Sequence, residues 1–114
     1  MTGAEIITAE RNRQIVAEKY GNDHDDRHTG DELAIAAACY ALPERLQYRV
    51  ITPRLSQMAM TMVQYLFPFR SKFWKPTPDD RIRELAKAGA LIAAEIDRLQ
   101  RVRESKSNAT TNKD

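Results

Sequence analysis

The sequence predicts an all-α protein, a compact bundle of about four helices with a disordered C-terminal tail. Three observations carry that prediction. Two segments open with the Thr-x-x-Glu spacing of a capping box, at Thr2/Glu5 and Thr29/Glu32. A long segment near the C-terminus repeats aliphatic residues at helical spacing after Thr77-Pro78-Asp79-Asp80. No stretch shows the strict alternation of a half-buried strand.

The first helix is expected over about residues 4–20, stopped by Gly21 in a left-handed turn. Residues 21–30, GNDHDDRHTG, hold no aliphatic side chain and begin and end in glycine, which reads as a polar loop. The second helix starts at Thr29 and stops before Pro43. Its Ala34, Ala37, Ala38 and Ala41 make a face with little bulk, suited to close approach by another helix. Pro43 opens a short helix that Pro53 breaks, and residues 55–66 read as a further helix. Thr77 is the expected cap of the last helix, with Pro78 at its first position and the two aspartates in its first turn. There Ile82, Leu85, Ile92, Ile96 and Leu99 line one side, and Ala86, Gly89, Ala90 and Ala93 form a neighbouring strip of small residues. Residues 1–104 form the single domain, and residues 105–114, with one alanine as their only apolar residue, form the expected tail.

Composition limits the function. The 114 residues are 42% hydrophobic and 30% charged, with a mass of 13.0 kDa and a mean hydropathy of −0.59. That is enough for one domain. The longest apolar stretch, residues 58–69, contains Thr61, Gln64 and Pro68 and is shorter than the roughly 20 residues a membrane span needs. The N-terminus has no basic region followed by an apolar run, so a cytoplasmic protein is expected. The lone Cys39 excludes an internal disulfide and is expected to be a small core residue. A net charge of +2 excludes a sequence-blind binder of duplex nucleic acid. It hides an asymmetry, however. Residues 1–33 hold eight acids against four bases, a balance of −4, which leaves +6 on the rest.

Two segments carry candidate chemistry. His24, Asp25, Asp26 and His28 sit close to Glu32, and imidazoles with carboxylates can bind a divalent metal. The alternative is structural, with the aspartates capping helices and pairing with Arg11 and Arg13. Arg70, Lys72, Phe73, Trp74 and Lys75 interleave cations with aromatic rings before a helix start, an arrangement that can stack a base and hold phosphates. Its alternative is docking of the connection onto the core, with the basic stems directed outward.

Glu10-Arg11-Asn12-Arg13-Gln14, His24-Asp25-Asp26-Arg27-His28, Gly30-Asp31-Glu32-Leu33-Ala34, Trp74-Lys75-Pro76 and the segment from Lys87 to Ile96 together resemble a small protein family of bacteriophages and prophages. That family has no settled activity, and the resemblance implies a viral context and host cytoplasm. The order of an E-R-x-x-Q helix, an acidic second helix and a last helix rich in alanine is similar to MazG-like all-α nucleotide pyrophosphohydrolases. Those enzymes hold Mg²⁺ with two carboxylate pairs at i, i+3 spacing. Here Glu32 is followed three positions on by Ile35 and Glu84 by Lys87, so each pair has one acid. Mg²⁺ is the only cofactor the resemblance admits, with Asp25, Asp26, Glu32 and Glu84 as ligands.

The expected function is capture of a phosphorylated nucleotide-like ligand without efficient turnover, as in a phage protein that withdraws a host-defence signal. Arg70, Lys72, Lys75 and Lys87 would meet the anion, Phe73 or Trp74 would stack, and His24 and His28 would shape the rim. Two alternatives stand beside it: a metal-dependent pyrophosphohydrolase, and a module that binds a host protein through the Met58, Met60 and Met62 segment. About 100 ordered residues in four helices leave apolar surface uncovered, and MazG-like folds pair, so a homodimer is expected.

Overall fold

The computed structural model describes residues 1–29 and 31–111. The described chain is mostly helical, with six α-helices, one 3-10 turn and one two-residue strand pair. Helix α1, Gly3–Ala17, begins with the expected capping box: Thr2 Oγ1 accepts from Glu5 N, and Glu5 accepts from Thr2 N. It ends three residues earlier than expected. Lys19 and not Gly21 takes the left-handed conformation, at φ 61°, and Gln14 O then accepts from both Glu18 N and Tyr20 N.

The polar loop contains a helix of its own, α2, Asn22–Asp26. Composition concealed it because its stability comes from elsewhere in the fold. Asp25 is buried and accepts from Arg11 Nη2 at 2.9 Å, and Asp26 pairs with Arg101 at 2.8 Å. The loop's closing Gly30 lies outside the described residues.

Helix α3, Glu32–Ala41, starts three residues after the expected cap. Asp31 stands before it in the left-handed region, at φ 70°, and no side-chain cap bond forms. Its far end is capped by another helix. The Arg81 guanidinium donates to the carbonyls of Tyr40, Ala41 and Leu42, which have no partner within their own helix.

Residues 43–76 depart most from expectation. Helix α4, Glu44–Gln47, matches the short helix after Pro43. The helix expected over residues 55–66 is instead the strand pair β1, Val50–Ile51, with β2, Met60–Thr61, followed by α5, Met62–Leu66. The strands are antiparallel, with Val50 opposite Thr61 and Ile51 opposite Met60. Thr61 forms a capping box with Gln64, which explains why the helix starts there. Leu55 is fully exposed. The 3-10 turn Ser71–Phe73 leads to α6, Arg81–Thr111.

Asp80, not Thr77, caps α6: its Oδ1 accepts from Arg83 N, while Thr77 Oγ1 donates to Asp80 O. At 31 residues, α6 is about 46 Å long. It continues through seven residues of the expected tail, and residues 112–114 lie outside the described part.

Helices α1 and α3 both pack on α6, α3 the more extensively. The core is Leu33, Ala36, Ala37 and Tyr40 of α3 against Ala88, Leu91 and Ala94 of α6, with Phe67, Phe69 and Trp74 closing over it. Close approach on an alanine face was the expectation, but the face is rotated: Ala34, Ala38 and Ala41 are exposed. Cys39 is the expected core residue, wholly buried, and burial pushes its thiol up to about 11.

Candidate functional site

A cavity of about 420 Å³ opens where the end of α1, α2, α3, α6 and the Phe67 to Lys75 connection meet. Its wall is a continuous series of rings. Tyr20 stacks on His24 at 4.3 Å between centroids, His24 meets His28 edge-on at 4.7 Å, and His28 meets Phe69 at 4.9 Å. Phe69 then contacts Phe67, which contacts Tyr40.

Each member is placed by an identifiable device. The left-handed turn at Lys19 swings Tyr20 back, and Arg11 Nη1 donates to its carbonyl at 3.1 Å. One turn of helix in α2 brings His24 and His28 onto the same side, which the loop expected at this position would not do. Asp25, clamped by Arg11, also holds His24 Nδ1 at 3.2 Å. Burial, and then the proximity of His24, hold His28 below the ordinary histidine range.

Cations face the same space: Arg13, Arg27, Lys75 and Lys87. Three of them differ in kind from Lys87. Arg13 is already engaged by Glu10 and Glu18, which raise its pKa, while Arg27 and Lys75 are exposed. Lys87 is buried, with 8% of its surface exposed. Its Nζ donates to Lys75 O at 2.6 Å and lies 5.7 Å from the Tyr40 ring centroid. None of the ion pairs among the described residues includes it. Burial, followed by the charge of Arg83, lowers its pKa against the opposing pull of Glu10 and of Glu18, the carboxylate that also lines the cavity. Beside it, Gln14 donates from Nε2 to Glu10, and its Oε1 is buried without a partner. Burial raises the Tyr40 phenol to about 12, so it stays protonated; its oxygen accepts from Lys75 N.

Of the sequence-predicted ligand residues, His24, His28, Phe73, Lys75 and Lys87 line the cavity, and Arg70, Lys72 and Trp74 do not. Arg70 and Lys72 are exposed, the latter with Nζ over the Phe73 ring. Trp74 is a docking residue. One face stacks on Tyr40 at 4.5 Å and its Nε1 donates to Tyr48 Oη, so that face is not free for a base.

Three of the four proposed metal ligands are divided among separate bonds, and the fourth, Glu32, is half-buried at the start of α3. Asp25 belongs to Arg11 and His24, Asp26 to Arg101, and Glu84, buried, to Gln47 and Arg81. Among the described residues no group of three or more His, Cys, Asp or Glu side chains is arranged to hold a metal ion. The structural alternative for Asp25 is the one observed, although Arg13 pairs with Glu10 and Glu18 in place of the aspartates.

Sequence reasoning missed Arg13, Gln14, Tyr20, Tyr40, Phe67 and Phe69 as lining residues. One signal for Gln14 was available. On α1 the polar residues Glu10, Arg11 and Gln14 recur at helical spacing, and these, not its isoleucines, are its buried positions. No known protein family, curated protein or solved structure matches the chain.

Proposed function

We propose that this protein binds a small phosphorylated, nucleotide-like ligand in the ring-lined cavity and holds it without efficient turnover. The carrying observation is Lys87, a buried amine on the cavity wall with no carboxylate partner. A phosphate at Lys87 would supply the missing anion and restore the charged form that burial disfavours. Arg27 and Lys75 would add to the attraction from the rim. The rings from Tyr20 to Tyr40 suit a planar, aromatic ligand body, and Gln14 adds an unmet acceptor.

Capture is favoured over hydrolysis because the acids a Mg²⁺ mechanism would use are committed elsewhere, Asp25 to Arg11 and Glu84 to Gln47 and Arg81. In the viral context implied by the motifs, capture alone would remove a host nucleotide signal from circulation.

The test is a thermal-shift panel of mono-, di- and cyclic nucleotides, repeated with Lys87→Met. A ligand at 100 times its Kd adds about 2.7 kcal/mol to stability. The expected outcome is a raised midpoint with at least one phosphorylated nucleotide and none with its nucleoside, lost in Lys87→Met. No shift with any member, or an equal shift in Lys87→Met, contradicts the proposal. Product formation with Mg²⁺ or Mn²⁺, abolished by Glu32→Ala, would establish the hydrolase instead.

A further inference from the structure

The outer face of α6 is a surface without a partner. Ile82, Leu85, Ile92, Ile96 and Leu99 are each between 46% and 66% exposed. Their spacings along the chain are three, seven, four and three, which places them on a single stripe along about 26 Å of helix. The missing position is Gly89, where an added Cβ would lie 2.6 Å from Ile7 Cδ1. Helix α1 therefore reaches the edge of the stripe there and adds another aliphatic side chain.

We propose that this stripe pairs with the same stripe of a second copy, the two α6 helices crossing antiparallel about a twofold axis. Two observations select a second copy and that orientation. First, the stripe is self-complementary: reversal sets Ile82 against the partner's Leu99, Leu85 against the partner's Ile96, and Ile92 against the partner's Gly89, the position where Ile7 of the same chain packs. Second, an exposed acid, Asp79, stands before the helix and an exposed base, Arg103, beyond the last of these aliphatic residues, and exposed Arg83 and Glu104 beside them repeat the opposition with the signs exchanged. Antiparallel pairing brings each Asp79 toward the partner's Arg103, whereas parallel pairing sets like charges together. The opposed helix dipoles favour the same arrangement.

Light scattering and sedimentation at about 50 μM test this. The wild-type chain is expected at twice its 13.0 kDa mass, and Ile92→Glu/Ile96→Glu at the monomer mass with unchanged helical circular dichroism. Asp79→Arg is expected to weaken the dimer at least tenfold, and Asp79→Arg/Arg103→Asp to restore it. A monomeric wild type, a dimer that survives Ile92→Glu/Ile96→Glu, or a charge exchange that does not restore pairing overturns the proposal. If the double glutamate variant loses its helical signal, single-cysteine chains made in a Cys39→Ala background decide. Oxidised Leu85→Cys mixed with Ile96→Cys should cross-link and Leu85→Cys alone should not; the reverse overturns it.

Discussion

The inner and outer faces of α6 reverse the usual distribution of side chains. The inner face carries Ala86, Ala88, Ala90 and Ala94 together with the buried charges Glu84, Lys87, Glu95 and Arg98, while the outer face carries the large aliphatics. Closeness of approach accounts for the difference. Alanine lets the α3 backbone come near α6, and each structural charge on that face then has to be satisfied locally, as Arg98 is by Glu95 at 2.6 Å. Lys87 alone among the four is in no ion pair. The outer face has no such neighbour and keeps its bulk. Structural clamps, the ligand-facing cation and the apolar stripe are therefore sorted by side of one helix.

The clamps on the inner side should give the largest effects. Asp25→Ala leaves the Arg11 guanidinium without its buried partner and is expected to destabilise the fold by about 3–5 kcal/mol, measured by urea unfolding at neutral pH. A loss below about 1 kcal/mol would mean that α2 is not anchored by this pair. Crowding on the same side comes next. Ala90 is fully buried, so Ala90→Leu is expected to cost about 1–3 kcal/mol. On the outer side, Ile82→Ala should change folding stability by no more than about 0.5 kcal/mol when made in the monomeric Ile92→Glu/Ile96→Glu background. Equal losses for these two substitutions would erase the contrast between the faces.

The smallest effect is expected at the cavity rim and depends on pH. Because burial and His24 hold His28 below its ordinary value of 6.5, the unfolded chain takes up that proton first on acidification. Stability from this residue is complete above about pH 6.5 and falls as the pH drops below it, until the folded imidazole itself protonates. The urea midpoint should decline between about pH 7.5 and 5.5 in wild type and decline less in His28→Gln. A bound phosphate should raise the His28 pKa in an NMR titration, since a nearby anion favours the imidazolium; an unchanged value would place the anion away from this rim.

The helical class, the Thr2/Glu5 cap, the short helix after Pro43 and the closeness of the second and last helices were legible in the sequence, because capping and small-residue patterns act within a few positions. The start of α6 was misread by three residues, since Thr77-Pro78 and Asp80 are both competent caps and only the fold selects Asp80. Under a third of the cavity lining was legible as composition, in His24, His28, Phe73, Lys75 and Lys87. The remaining members were not, because Tyr20, Tyr40 and Phe67 are remote in sequence and meet only when α3 and the 67–75 connection close over α6.

Local pattern thus determined that this chain is helical, where α1 begins, and that its last two principal helices approach closely. Tertiary structure decided that Asn22–Asp26 of the polar segment become a helix, because Arg11 and Arg101 hold its aspartates. It also decided which face of α6 turns inward, since a helical repeat reports that two faces differ and leaves open which of them a neighbouring backbone can approach. Once α3 took the alanine face, Lys87 was carried to the cavity wall without an ion-pair partner, and the isoleucines were left for another surface to cover.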